Sequence, residues 1–283
     1  YREANQSAVT ALTLLEQFPH CKDAPYVYSV TGSFVWYFCH PIKQSIRLQL
    51  QAHEMAYEYG DISFGAVGGY ANALINQYSQ GTCLSQLQSM GASVEALKQK
   101  HKTKVLAGSY YRHLISMLLA PGSDNLLFEP TFDPKEWKLI QSCVLKSFIE
   151  HLQTQWYFWS DQENKAWDTV QAAETSLPLM SGFITALEQR FIAALLACRL
   201  TSNNDTQQSI PHPFIQRSLT ELEELNGLCP ENFTHKLALL QAEIAFTEGQ
   251  NIEALMPLYQ QAIDSAEANG FLQYQALANE LYG

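Results

Sequence analysis

Apolar residues recur along this chain every three to four positions, in windows bounded by proline and glycine, which is the period of an amphipathic helix. Leu237, Leu240, Ile244 and Ala245 fall on one helical face, and Ile62, Ala66, Gly69 and Ala73 on another. Alternation of the strand kind is nowhere sustained. Phe34-Val35-Trp36-Tyr37-Phe38 is strand-like in composition, but its flanks are helical and it reads as buried helix. Pro25, Pro41, Pro134, Pro213 and Pro230 stand where a first helical turn begins, a position at which the missing N–H costs nothing. Asp133-Pro134-Lys135-Glu136 has the form of a capping box. Gly60-Asp61 and Gly249-Gln250-Asn251 each pair a helix-stopping glycine with a capping side chain. These marks lie mostly ~12 to 20 residues apart and predict an all-α chain of about thirteen helices in a single domain over residues 1–283. Long connections are expected only from Ala120 to Phe132 and from Thr201 to Pro211, the second being the candidate mobile loop.

The helices also repeat. Gln51-Ala52-His53-Glu54-Met55-Ala56 and Gln261-Ala262-Ile263-Asp264-Ser265-Ala266 share glutamine and both alanines, and each runs on to a glycine, Gly60 and Gly270. Past the glycines, Phe64 corresponds to Tyr274 and Ala66 to Ala276. The stretch Gly249…Ala254…Tyr259-x-x-Ala262 has the small-residue and aromatic spacing of the second half of a tetratricopeptide repeat. Pro257 and one residue of extra spacing depart from that motif. The expected architecture is a divergent tetratricopeptide-like α-α superhelix of paired helices, with an irregular helical bundle as the rival.

Composition narrows the function. Apolar residues make up 47% of the chain and charged residues 16%, enough for a packed core. A net charge of −11 argues against nucleic acid, which is held by clustered cations. Lys98, Lys100, Lys102 and Lys104 come nearest to such a cluster and read as a solvated helix end. The longest apolar run, Phe191 to Cys198, falls well short of the ~18 residues that span a bilayer. The six cysteines are scattered without a Cys-x-x-Cys pair, so buried thiols in a reducing, cytoplasmic setting are expected. The chain opens at Tyr1 and stops inside the helical stretch from Leu272 to Tyr282, and is expected to be a piece of a longer protein.

Ala56-Tyr57-Glu58-Tyr59-Gly60-Asp61-Ile62, followed by an aromatic-rich helix ending near Gly81, resembles a segment of the multi-sensor hybrid kinases of bacteria and fungi. So does Pro230-Glu231-Asn232-Phe233-Thr234-His235-Lys236, running on through Ala242-Glu243, Ala262-Ile263 and Asn269-Gly270-Phe271 to Ala276-Leu277-Ala278-Asn279-Glu280-Leu281. The likeness is strongest over the last part of the chain and loose between His101 and Asn226. Such proteins join a Ser/Thr-kinase-like domain, a STAND-class ATPase, a helical repeat region, a GAF domain and a histidine kinase. The resemblance implies a non-catalytic sensory or scaffolding region between ATPase and kinase modules, partnered by the other domains of its own polypeptide. The effector-binding helical domain of a STAND-type transcription activator is the alternative.

A search for chemistry agrees with that expectation. Phosphate-binding glycine loops, kinase catalytic loops and nucleophile elbows are absent. His53-Glu54 has the start of a phosphoacceptor or zinc-protease pattern, but Gly60 ends the helix too soon for the first and Tyr57 replaces the second His of the other. No cofactor or metal is expected. The residues expected to face a protein, peptide or small effector on a concave surface are Tyr70, Asn72 and Asn76, with Tyr110, Arg112 and Trp156 from two aromatic clusters. A closed pocket with converging Asp, Glu or His would favour an enzyme instead.

Overall fold

The computed structural model describes residues 1–18, 20–120, 143–202 and 213–283. Among them are thirteen α-helices and no strand, so the chain is all-α. The helices are α1 (Arg2–Gln17), α2 (Ala24–Phe34), α3 (Ile42–Tyr59), α4 (Gly69–Gln80), α5 (Leu84–His101), α6 (Ala107–Leu119) and α7 (Cys143–Trp159). They continue as α8 (Glu163–Ala173), α9 (Ile184–Ser202), α10 (Pro213–Asn226), α11 (Pro230–Thr247), α12 (Ile252–Asn269) and α13 (Leu272–Tyr282). A π-helical segment, Ile62–Gly68, leads into α4.

The expected punctuation is in place. Pro25, Pro213 and Pro230 lie in first turns, and Pro41 immediately precedes α3. Gly60 and Gly270 end their helices in the left-handed region, at φ 77° and 80°. Asp61, after Gly60, and Asn251, after the left-handed Gly249 (φ 73°), cap the next elements through Phe64 N–H and Ala254 N–H. Asp133-Pro134-Lys135-Glu136 lies outside the described residues, as do Phe132 and most of 201–211, whose first two residues complete α9. One reading needs correction. Val35 to Phe38 does not continue α2, which stops at Phe34, and Trp36–Phe38 forms a single 3₁₀ turn. The carbonyls of Tyr37 and His40 instead accept hydrogen bonds from the Asn232 side chain (2.6 and 2.8 Å). A helix through this stretch would have consumed those groups.

The matching segments of α3 and α12 occupy matching environments up to their glycines. Ala52, Ala56, Ala262 and Ala266 are all buried. Beyond the glycines the likeness fails: Phe64 is exposed where Tyr274 is buried. The cause is local, because Ile62–Gly68 winds with five-residue spacing, as in Ala66 N–H to Asp61 O (3.0 Å). That shifts the side chains around the axis. His53 Nδ1 bonds the Ala66 carbonyl of this wide turn (2.6 Å), which accounts for the histidine.

Each helix packs chiefly on those one or two places away in the chain. Small residues let them close: a Cβ on Gly69 would lie 2.9 Å from Gln49 O, and one on Gly108 would lie 2.7 Å from Val94 Cγ1. A second set of contacts joins early helices to late ones. Asn232, buried at the start of α11, accepts from Ile42 N–H (2.9 Å) while donating to the two carbonyls already named. Gln273, near the start of α13, donates to the Tyr78 and Ser79 carbonyls at the end of α4 (3.3 and 2.7 Å). Gly81 admits that side chain, having φ 89° and no room for a Cβ.

Asn232→Ala orphans three buried backbone groups at once, so a stability loss of about 2–4 kcal/mol is expected in urea unfolding. A loss below about 0.5 kcal/mol would show that this side chain does not join the two ends.

Candidate functional site

Beside the Gln273 contact lies an open cavity of about 490 Å³, between the end of α4, the α4–α5 link, α5, α6, α7, α9 and the start of α13. Leu84, Leu87, Leu118, Trp159, Tyr78 and Leu272 give it largely apolar walls. His151, Gln155, Glu188, Gln273 and Tyr274 supply the polar groups. A mostly apolar cavity with a few convergent polar groups is the usual form of a small-molecule site.

Glu188 comes from α9, which is apolar nearly all round and therefore buried on every side. A carboxylate there needs partners. Tyr274 Oη donates to Glu188 Oε2, and Lys236 Nζ lies 3.3 Å from Oε1. The ammonium of Lys236 also meets His235 Nε2 at 3.2 Å and lies among aromatic rings, nearest to Tyr274 at 4.0 Å from its centroid, with Phe271 at 5.0 Å and Phe191 at 5.9 Å. Carboxylate, imidazole lone pair and aromatic face thus use its three N–H groups. Burial pulls the Lys236 pKa down from its ordinary value, and the charge and hydrogen bond of Glu188 oppose that pull. The phenol of Tyr274 is pushed up, by burial first and then by the charge of Glu188.

On α7, His151 and Gln155 stand one turn apart and both are almost fully buried. His151 Nδ1 meets Gln189 Oε1 at 3.2 Å, while Gln189 Nε2 donates to Thr154 Oγ1 (2.9 Å). Since the glutamine oxygen can only accept, His151 carries its proton on Nδ1. Burial lowers its pKa to about 4, so the ring is neutral at pH 7. Burial, and then the charge of Lys236, lowers His235 well below the ordinary histidine value.

The six expected contact residues lie elsewhere. Tyr110 is core, and Asn76 is buried in a separate small internal gap that Asn72 also lines. Tyr70 packs on the His53 ring (centroids 4.7 Å apart), Arg112 backs Gly91 with its stem, and Trp156 leans on the core half-buried. None of the six lines the cavity. Glu188 and Gln189 left only a faint trace in the sequence, inside the polar step Glu188-Gln189-Arg190 that precedes the apolar run Phe191 to Cys198. His151, Gln155, Lys236 and Tyr274 left none that singles them out.

Cys83 stands exposed at the rim, its thiol pKa lowered by hydrogen bonds from Ser85 and the backbone of Ser85 and Gln86. Among the described residues no group of three or more His, Cys, Asp or Glu is placed to hold a metal, and no helix is long and apolar enough to cross a membrane. Family models, curated proteins and solved structures were compared with the chain, and none matches it.

The two neutral histidines fix a sign for pH dependence. The folded chain holds them unprotonated, while the unfolded chain takes up protons below its ordinary histidine pKa of about 6.5, so their contribution is present above that pH and lost as pH falls toward about 4. For His151 the loss between pH 7 and pH 5 is about 2 kcal/mol. In urea titrations at these two pH values the difference is expected to shrink by that amount in His151→Gln. An unchanged difference contradicts a buried neutral ring.

Proposed function

We propose that this chain is a non-catalytic, tetratricopeptide-like helical region that receives a small effector in the cavity and relays its presence to neighbouring domains of a signalling kinase. The observation that carries the reading is the position of the cavity. Its walls combine the end of α4 with the start of α13, so an occupant touches the early and the late helices together. A ligand that favours one spacing between those helices shifts the population toward it, and that shift is what a relay requires. The sequential packing of the helices supports a superhelical arrangement of stacked hairpins, in which small changes between neighbours add along the chain. The kinase context rests on the sequence resemblance of the segments around Tyr57 and from Pro230 to Leu281.

The competing reading is an enzyme, and it draws on His151 and Glu188 lining the same cavity. Against it, both oxygens of Glu188 are engaged, by Tyr274 and Lys236, and His151 bonds Gln189 rather than the carboxylate. An acid–base pair needs both members free to exchange a proton with a substrate, and the carboxylate of Glu188 is not.

Leu118→Trp places an indole in the cavity from its α6 wall. In the parent protein this change is expected to alter kinase output several-fold while leaving the separately expressed kinase domain unaffected. Unaltered output would overturn the relay, and a helix-turn-helix in place of a kinase downstream would move the same site into a transcription activator.

A further inference from the structure

We propose that the cavity takes a small, flat, uncharged molecule presenting an N–H donor beside a C=O acceptor, the edge of a lactam, read by His151 and Gln155. The proposal rests on the effector-site reading above and names the ligand's chemistry.

The protein already uses one polar atom of each of these two side chains and leaves the other. Gln189 occupies His151 Nδ1 and fixes the proton there, so Nε2 is a bare acceptor. This atom has no hydrogen-bond partner among the described residues. Gln155 Oε1 accepts from Trp159 Nε1 (2.8 Å) and from Tyr78 Oη (3.4 Å). An indole N–H can only donate, which fixes the amide orientation and leaves Gln155 Nε2 as the free donor. It too lacks a partner among the described residues. Both side chains line the cavity, and each is only 2% exposed.

Both side chains are buried but belong to the cavity lining, and polar groups in so confined a place are nearly always hydrogen-bonded, so their free edges mark where a ligand's polar edge belongs. Their four-residue spacing on α7 puts acceptor and donor on one face, about 5–6 Å apart at Cβ. A lactam edge carries the complementary donor and acceptor on adjacent atoms. Charge selects further: Glu188 is matched by Lys236, so the polar wall offers no unbalanced charge for an ionic ligand. Trp159, Tyr78 and Leu84 supply flat and apolar surface for a fused ring.

The test uses the intact chain and three probes of nearly one shape: 2-quinolone, N-methyl-2-quinolone, which lacks the donor, and quinoline, which lacks the amide edge. Calorimetry is expected to give 2-quinolone an affinity at least tenfold above the other two. Binding should slow iodoacetamide labelling of Cys83 at the rim without slowing that of Cys21. Gln155→Met, chosen to keep volume, should remove most of the tenfold preference while circular dichroism shows the helices intact. Equal binding of all three probes, with Cys83 protected, overturns the lactam assignment and leaves the effector site standing. No binding by any probe, or binding that leaves Cys83 unprotected, overturns both.

Discussion

A carboxylate buried among helices has to be answered from several sides, and here the answers to Glu188 organise the molecule. Tyr274 reaches it from α13 and Lys236 from α11, while the ammonium turns its other donors to His235 and to the Tyr274 ring. Such a pair is costly to desolvate and is weak evidence for stability by itself. Its effect is one of direction. The arrangement of α9, α11 and α13 that satisfies both charges leaves a cavity beside Glu188, with α7 among its walls.

The rest of the closure is neutral hydrogen bonding of the same character. Asn232 supplies both halves of its amide to the turn after α2, and Gln273 caps the last carbonyls of α4. Each lets a late helix satisfy backbone groups that an early helix leaves open, as buried backbone demands. Local helix pairs are closed differently, by small residues such as Ala52, Ala56, Ala262 and Ala266. The molecule therefore has a pairwise apolar packing along its length and a sparse polar stitching between its two parts. Polar stitching is directional, so it is the layer on which an occupant of the cavity can act.

This division also decides what the sequence discloses. Helix ends are written locally: Gly60 and Gly270 are left-handed caps and Asn251 an N-cap, as their positions predict. The repeat between α3 and α12 was legible as far as the glycines. It ends at Ile62–Gly68 because a π-turn spends one more residue than its counterpart, which a pattern of small residues does not display. Phe34 to Phe38 misled because the partner of its carbonyls is Asn232, 195 residues from Tyr37. The cavity was hidden for the same reason. Its polar wall comes from three separate helices, whereas Tyr110 and Asn76, conspicuous in sequence, are absorbed into the interior.

The most direct measurement is a double-mutant cycle on the central pair, with Glu188→Gln and Lys236→Met made singly and together and followed by urea unfolding. Each single change strands a buried group of the other residue, so the two are expected to be coupled by at least about 2 kcal/mol, the double variant being the less damaged. Additivity within about 0.5 kcal/mol would mean that the pair does not govern how α9, α11 and α13 meet, and the basis for the cavity would go with it.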